Sequence, residues 1–227
     1  MKTFGVLITV AALFGGCASE KMLLNKSDRI IFLGDSITEL GGQENGFVTL
    51  VEDSLAAKFG ADAPAVINAG ISGNKVTDLQ ARLDRDVISK NPTIVVIYIG
   101  INDVWHFALP SHSGTPAAKF ESGLRDIITR IHAVGSKVIL CTPSVIGESK
   151  NGTNPQDEML NQYADISRKV AKDMGVQLCD LHKDFIDYLS TNNAEDKHES
   201  VLTVDGVHLT VDGNRFVAGL MLKAFGY

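Results

Sequence analysis

The run TIVVIYI at residues 93–99, followed at once by Gly100, is the clearest strand signal in this 227-residue chain. The run is rich in β-branched residues and is apolar at successive positions, so the strand that it predicts must be buried on both faces. Strands of that kind belong to parallel sheets that helices cover on both sides. This segment therefore predicts an α/β fold.

The chain on either side of this run alternates between strand-like and helix-like patterns. Four further apolar runs predict strands, and they cover residues 29–33, 65–67, 137–141 and 176–179. The segments between them repeat apolar residues at helical spacing, which predicts helices over the sheet. The prediction is a single-domain three-layer α/β/α sandwich. Its five-stranded parallel sheet would be doubly wound, in the flavodoxin-like order 2-1-3-4-5.

Capping residues predict where three of the helices begin. Thr115 and Asn154 are each followed by proline, which favours the first helical position, and Thr210 precedes the apolar pattern of the last helix. The side chain of such a residue can accept a hydrogen bond from a backbone N–H that the helix leaves free. The three helices are expected to end at Ile131, Met174 and Phe225.

The composition excludes several classes of protein. Hydrophobic residues make up 44% of the chain and charged residues 21%, which is ordinary for a globular domain and argues against disorder or collagen. There are 21 Lys and Arg against 27 Asp and Glu, a formal net charge of −6. Because phosphate contacts need clustered cations, nucleic acid is not expected to be a partner.

The first residues have the pattern of an export signal. Lys2 precedes an apolar run at residues 6–14, and Gly15 and Gly16 are small residues suited to cleavage. The run is too short to span a bilayer. We therefore expect residues 1–16 to be a signal peptide, residues 17–28 to be a tether and residues 29–227 to be the folded domain.

The sequence LFGGC at residues 13–17 resembles a bacterial lipobox, in which the cysteine thiol receives a diacylglycerol and becomes the new N-terminus. Cys17 is therefore the predicted site of lipidation and of attachment to a membrane. The alternative is an ordinary signal peptide followed by an incidental cysteine. Either way, the protein is expected to be exported, as a cell-envelope lipoprotein or as a periplasmic or secreted protein.

Ligands of doubly wound sheets bind beyond the carboxyl ends of the strands, so the segments that follow the first three strands are the candidate site. These segments are GDSI at residues 34–37, NAGISGN at residues 68–74 and GIND at residues 100–103. In the order 2-1-3-4-5 the first strand lies between the second and the third. The three segments should therefore be neighbours, and they would bring together a hydroxyl, a glycine-rich turn and a side-chain amide.

Near the C-terminus, Asp205 stands three residues before His208, a spacing that lets a carboxylate orient an imidazole ring. With Ser36 as nucleophile and His208 as general base, these are the parts of an acyl-transfer site. Such a site needs donors aimed at the oxyanion of the tetrahedral intermediate. The candidates are the backbone N–H groups of Ser36 and Gly73 and the side-chain amide of Asn102.

Four segments, at residues 34–37, 70–74, 100–103 and 205–208, occur in the order and strand context of the blocks of the SGNH (GDSL-type) hydrolase family. The chain resembles that family from residue 29 to the last helix. The resemblance implies the three-layer fold and serine-dependent ester hydrolysis without a metal or another cofactor. It also implies that the oxyanion glycine is Gly73, which leaves Gly70 as a turn glycine.

The sequence leaves more than one function open. The loops at residues 41–46 and 143–153 are polar, which favours short acyl groups such as acetyl on a small-molecule or carbohydrate ester. The alternatives are a lysophospholipase or thioesterase, which would need a long apolar groove, and a non-catalytic ligand-binding module on the same fold. Contacts with substrate from Trp105, His106 or His112 are left open, and the histidine spacing matches no zinc pattern.

Overall fold

The computed structural model describes residues 24–227. The expected signal peptide and the expected lipidation site at Cys17 lie outside the described residues. The last residues of the expected tether contact the domain. Asp28 accepts a hydrogen bond from the Thr93 hydroxyl at 2.7 Å, and its carbonyl oxygen accepts one from the Ala65 N–H at 3.0 Å.

The five predicted strands form one sheet. They are β1 (Arg29–Gly34), β2 (Ala65–Gly70), β3 (Ile94–Tyr98), β4 (Lys137–Cys141) and β5 (Gln177–Cys179). All neighbouring strands are parallel, and their order is β2-β1-β3-β4-β5. The predicted topology is therefore confirmed. Because β1 lies between β2 and β3, the segments that follow these three strands leave the sheet side by side.

Helices cover both faces of the sheet. They are α1 (Ser36–Gly41), α2 (Phe47–Phe59), α3 (Val76–Asp86), α4 (Ile101–Trp105), α5 (Ala117–Ala133), α6 (Asp157–Met174), α7 (Leu181–Asn192) and α8 (Val211–Ala224). On one face α2 packs against α8, and on the other α5 packs against both α3 and α6. In residues 24–227 no helix combines the length and the apolar character needed to cross a membrane.

The core lies between the sheet and the two helical layers. Every residue of β3 is buried, as a strand with two apolar faces requires. Aromatic side chains pack edge to face across the layers, with the Phe32 and Phe47 ring centroids 5.8 Å apart. Burying one large apolar side chain contributes about 1.5–3 kcal/mol to folding stability. The packed core therefore gives the segments at the edge of the sheet a rigid support.

Two of the three predicted helix caps are wrong. The Thr210 hydroxyl accepts from the Gly213 N–H at 3.0 Å, which confirms the cap of α8. Helix α5 instead begins after Pro116 without a side-chain cap, and α6 begins at Asp157, three residues beyond Asn154. The Asn154 amide donates to the Asp157 carboxylate at 2.9 Å, so it closes a turn that precedes the helix. The Asp157 carboxylate also accepts from the Gly152 and Asn154 N–H groups at 2.7 and 2.9 Å, which fixes this turn ahead of the helix.

Candidate active site

Ser36 is the first residue of α1 and lies directly beyond the end of β1. The turn between the two elements is tight because α1 packs closely on the sheet. A Cβ atom on Gly34 would stand 2.1 Å from Thr38 Oγ1 and 2.5 Å from the Tyr98 carbonyl oxygen, so only glycine fits there. Asp35 caps α1 by accepting from the Ile37 N–H at 3.0 Å. This arrangement fixes the backbone that carries the Ser36 hydroxyl.

The structure brings Ser36, His208 and Asp205 into one hydrogen-bonded row. His208 Nε2 lies 2.9 Å from Ser36 Oγ, although 172 positions separate the two residues. His208 Nδ1 lies 2.7 Å from Asp205 Oδ2. The other carboxylate oxygen of Asp205 accepts from the backbone N–H groups of Val207 and His208 at 3.0 and 2.7 Å. The aspartate is therefore held by its own loop while it faces the ring.

Opposing effects set the charge of Asp205. Partial burial by itself would raise the pKa of its carboxyl group. Hydrogen bonds from the His208 ring and from the backbone N–H groups of His208 and Val207 outweigh that effect and hold the pKa below its ordinary value. Asp205 is thus an anion at neutral pH, which favours an imidazolium beside it.

The segments that follow β1, β2 and β3 are hydrogen-bonded to one another. The Ile71 N–H donates to the Gly34 carbonyl oxygen at 3.2 Å. Asn102, in the first turn of α4, is almost fully buried and donates from its side-chain amide to the Asn74 carbonyl oxygen at 3.1 Å. Gly73, next to Asn74, has a left-handed φ of 77°, and a Cβ added there would meet no atom within 4 Å. The expected oxyanion residues therefore lie on connected loops.

Arg82 joins two of these loops, a role that was not predicted from the sequence. Arg82 is a residue of α3, and its side chain is almost fully buried. Its guanidinium donates to the Gly34 carbonyl oxygen at 2.8 Å and to Asn74 Oδ1 at 2.7 Å. It also pairs with Asp86 at 3.1 Å. Burial lowers the pKa of Arg82 from its ordinary value, although its partner Asp86 opposes the shift. In the sequence, Arg82 is one charged residue among several on a helix, and no motif or spacing indicates that it is buried or that it holds two loops.

Two further carboxyl groups are buried beside the site. Burial raises the pKa of Asp35 to about 7, and it raises the pKa of Asp103 to about 6. Asp103 follows Asn102 and accepts from the Val76 N–H with both oxygens at 3.2 Å. Consecutive residues of α4 therefore hold the chain that runs from Gly73 into α3, one through its amide and the other through its carboxyl group.

The expectation that Gly70 is a turn glycine is wrong. Gly70 is the last residue of β2 and pairs in register with Gly34 of β1. A Cβ on Gly70 would stand 2.1 Å from the Glu39 backbone nitrogen, so the residue is a glycine because α1 crosses the sheet there. The left-handed turn that follows belongs to Gly73.

The aromatic residues after β3 differ in their surroundings. Trp105 is half-buried and packs against the core at the end of α4. His106 is half-buried as well, and burial lowers the pKa of its ring. His112 is exposed and its Nδ1 lies 2.7 Å from the Phe107 carbonyl oxygen. None of these contacts reaches the row formed by Ser36, His208 and Asp205.

A cavity of about 560 Å³ lies at the β4 and β5 end of the same sheet edge, between the β4–α6 loop and α7. None of the five expected site residues lines it. It is therefore separate from the Ser36 row. Within residues 24–227, His, Cys, Asp and Glu side chains form no cluster of three or more that could hold a metal ion.

Known proteins resemble this chain over most of its length. The model of the GDSL-like lipase/acylhydrolase family matches residues 32–216. An acetylxylan esterase from Geobacillus stearothermophilus is 30% identical over 91% of this chain and 97% of its own. The isoamyl acetate-hydrolyzing esterase 1 homolog of Rattus norvegicus is 29% identical over 83% of this chain and 78% of its own.

Solved structures extend the likeness. The crystal structure of the acetyl xylan esterase AlAXEase is 47% identical, superposes with a TM-score of 0.83, and covers 86% of this chain and 98% of that one. Solved structures of the Geobacillus esterase include catalytic mutants in which a serine, an aspartate and a histidine are each replaced by alanine.

Proposed function

This chain belongs to the GDSL-like lipase/acylhydrolase family, and we propose that it removes short acyl groups, acetyl above all, from carbohydrate esters with Ser36 as the nucleophile. The protein is an esterase of that family. The observation that carries the residue assignment is the row from Asp205 through His208 to Ser36, with contacts of 2.7 and 2.9 Å. Hydrogen bonds at both ring nitrogens are what a base needs in order to take a proton from a hydroxyl.

The proposed reaction begins when His208 Nε2 takes the proton of Ser36 as Oγ attacks the ester carbonyl carbon. The carbonyl oxygen becomes an oxyanion in a tetrahedral intermediate. The intermediate collapses, the bond to the alcohol oxygen breaks, and the imidazolium returns its proton to the leaving alcohol. Water then attacks the acyl-Ser36 ester with the same base, which releases the carboxylic acid and restores the hydroxyl.

Asp205 acts in this scheme through the ring and not on the substrate. Its carboxylate holds the N–H at Nδ1, which leaves Nε2 free to accept the Ser36 proton. As the proton moves, the ring becomes cationic beside a fixed anion, and that charge pair lowers the barrier. The low pKa of Asp205 keeps the carboxylate charged throughout.

The proposed oxyanion hole consists of the backbone N–H groups of Ser36 and Gly73 and the side-chain amide of Asn102. One N–H of the Asn102 amide is committed to the Asn74 carbonyl oxygen. That bond holds the amide plane, so the second N–H has a set direction. Donors that are already oriented stabilise charge without reorganising as it develops.

The relatives favour acetyl esters of a polar alcohol over the long-chain alternatives. Two similar proteins are acetylxylan esterases, and a third is a homolog of an isoamyl acetate-hydrolyzing esterase. Residues 43–45, in the loop that follows α1, are polar and exposed, which supports a polar leaving group. The β4–α6 loop contributes less than its sequence suggests, because residues 143–148 are buried.

The test is a substrate panel with Ser36→Ala as the matched negative control. We expect wild-type enzyme to hydrolyse acetylated xylooligosaccharides and p-nitrophenyl acetate, with kcat/KM falling steeply as the acyl chain lengthens to eight carbons or more. Ser36→Ala should lose activity and keep its melting temperature. Fluorophosphonate labelling at a different serine would refute the assignment, and a preference for long-chain esters or lysophospholipids would refute the substrate class.

We also propose that the chain is exported and tethered to a membrane by a diacylglycerol on Cys17. The support is the lipobox-like sequence at residues 13–17 together with the apolar run before it. A lipid of this type carries more than one acyl chain, which is the condition for stable anchoring. Palmitate should label the wild type in its native host and not the Cys17→Ser variant. An unlabelled, soluble wild type would leave only the simple signal peptide.

A further inference from the structure

Glu148 is an almost fully buried glutamate in the β4–α6 loop, with 1% of its surface exposed. Its carboxylate accepts three hydrogen bonds from consecutive backbone N–H groups. The Val201 N–H donates to Oε2 at 2.8 Å, and the Leu202 and Thr203 N–H groups donate to Oε1 at 2.5 and 2.6 Å. Few other side chains could replace it, because the site offers only donors and needs an acceptor with two oxygens.

These three donors form the base of the loop that carries Asp205 and His208. Thr203 and Leu209 face each other in an antiparallel bridge, and the Val204 N–H donates to the His208 carbonyl oxygen at 2.7 Å. These two contacts close residues 203–209 into a loop that contains Asp205 and His208. Whatever moves residues 201–203 therefore moves Asp205 and His208 with them.

Backbone contacts join the same two loops a second time. The Gly147 N–H donates to the Gly206 carbonyl oxygen at 2.8 Å, beside Asp205, and the Glu148 N–H donates to the His198 carbonyl oxygen at 2.7 Å. A Cβ on Gly206 would stand 3.2 Å from the Gly147 backbone, so the two chains are in close contact. Residues 142–148 of the β4–α6 loop are buried and continue directly from β4, so this half of the loop is a rigid support.

A buried carboxylate is costly unless it is fully hydrogen-bonded. Hydrogen bonds to a charged acceptor are roughly twice as strong as neutral ones, so three of them compensate for the burial of Glu148. Their direction matters as much as their strength. Three N–H groups that converge on one carboxylate determine both the position and the tilt of the backbone at residues 201–203.

We propose that Glu148 is a positioning residue for the reaction: it holds the Asp205–His208 loop at the distance from Ser36 that proton transfer requires. The inference rests on the proposed roles of Asp205, His208 and Ser36. Since His208 Nε2 lies 2.9 Å from Ser36 Oγ, a small shift of the loop breaks the contact that the first step needs. The Glu148 carboxylate bonds the backbone N–H groups of residues 201–203 and none of the proposed site residues, so we expect its loss to lower kcat and to leave KM nearly unchanged.

The test replaces Glu148 with glutamine, which keeps the size of the side chain and turns one acceptor oxygen into an NH₂ group that faces an N–H donor. We expect kcat to fall on the order of 10- to 100-fold, as about 1 Å of misplacement does elsewhere, with KM nearly unchanged. Activity is to be measured well below the melting temperature and normalised to folded protein.

Asp157→Asn is the matched control. Asp157 is a buried carboxylate at the first residue of α6 and accepts from the Gly152 and Asn154 N–H groups at 2.7 and 2.9 Å, away from the Asp205 loop. It should lower stability and leave kcat of the folded enzyme near that of the wild type. Equal losses of kcat in both variants would show that Glu148 acts only on stability, and would overturn the proposal.

A double-mutant cycle with Asp205→Asn locates the effect. If Glu148 acts through the Asp205–His208 loop, Glu148→Gln should cost much less kcat in the Asp205→Asn background than in the wild type. Additive logarithmic losses would overturn the proposal while leaving the function of the site intact. A fully active Asp205→Asn enzyme would instead refute the proposed roles of the row itself.

Should Glu148→Gln fail to fold, Glu148→Asp provides the second variant. It keeps the charge and withdraws the carboxylate by one methylene group, so it cannot reach all three N–H groups at their present distances. Its kcat should fall with KM nearly unchanged. A wild-type kcat in folded Glu148→Asp would overturn the proposal.

Discussion

Arg82 donates from its guanidinium to the backbone carbonyl oxygen of Gly34 over 2.8 Å, two residues before Ser36. The same guanidinium reaches Asn74 Oδ1 at 2.7 Å, one residue after Gly73. A single side chain thus holds both the turn that carries the proposed nucleophile and the turn that carries a proposed oxyanion donor. The distance between those two turns depends on how well the planar fork of the guanidinium fits its acceptors.

Arg82→Lys should therefore weaken both catalysis and stability. A single ammonium group cannot reach three acceptors in fork geometry, so we expect the free energy of unfolding to fall by about 1–3 kcal/mol and kcat to fall by about tenfold. Arg85→Lys is the matched control, because Arg85 is a mostly exposed neighbour that binds Asp86 alone. Chemical denaturation and steady-state kinetics check both effects, and wild-type kcat in Arg82→Lys would contradict the positioning role.

Asn102→Ala should remove one preorganised donor from the proposed oxyanion hole. Loss of such a donor costs on the order of 10²–10³ in kcat, with a smaller effect on KM. Asn102→Asp should lose more activity than Asn102→Ala, since it puts a negative charge where the oxyanion forms. Kinetics on p-nitrophenyl acetate check both variants. Activity within a few-fold of wild type in Asn102→Ala would make Asn102 a structural residue that only holds Asn74.

Asp205 and His208 should behave as one unit. Asp205→Asn should slow kcat/KM by a factor of up to ~10⁴, because the ring can then adopt the wrong tautomer. His208→Ala should cost at least as much, since the base itself is lost. The double variant should be little worse than His208→Ala, because the aspartate acts only through the ring. Additive losses would show that Asp205 has an effect of its own.

Asp35 should make the folded protein less stable as pH rises through the acid range. Its pKa is raised from 3.8 to about 7 in the folded state, so between those values the unfolded chain loses a proton that the folded chain keeps. The free energy of unfolding should therefore fall from about pH 4 to about pH 7, by up to ~4 kcal/mol from this group.

Asp35→Asn should abolish that contribution while Oδ1 can still accept from the Ile37 N–H. The measurement is urea denaturation of wild type and variant at several values of pH from 4 to 8. We expect the variant to gain stability relative to the wild type as pH rises. A difference that stays constant across the range would show that Asp35 titrates with its ordinary pKa in the folded protein.

Gly70, at the end of β2, and Gly73, in the turn that follows, should respond differently to replacement by alanine. Gly70→Ala places a methyl group 2.1 Å from the Glu39 backbone nitrogen, so it should destabilise the fold by about 3 kcal/mol or more. Gly73→Ala meets no atom within 4 Å and pays only for its left-handed φ, about 1–2 kcal/mol. Thermal unfolding checks the order, and equal losses would contradict it. Gly73→Ala should still lose activity, because the added methyl group would stand beside the Gly73 N–H, which is a proposed donor to the oxyanion.

The strands could be predicted because each carries its own local signal, and their order could be predicted because strands that alternate with helices form a doubly wound parallel sheet. The run at residues 93–99 is apolar on both faces, and all five predicted strands pair in the predicted order. Helix starts were harder to predict. Thr210 does cap α8, whereas Asn154 lies in a turn that closes before α6, because the Asp157 carboxylate accepts from the N–H groups of that turn.

Which segments meet at the edge of the sheet could be predicted from the sequence alone, because the alternation of strands and helices allows few strand orders and the spacing from Asp205 to His208 is local. What holds those segments in place depends on contacts that form only in the folded chain. Arg82 reaches a carbonyl oxygen 48 positions away, and Glu148 reaches N–H groups up to 55 positions away. These carbonyl and N–H groups are backbone atoms that nearly every residue has, so no pattern of side chains in the sequence indicates the contacts. The pKa of Asp35 likewise depends on burial, which exists only once the chain has folded.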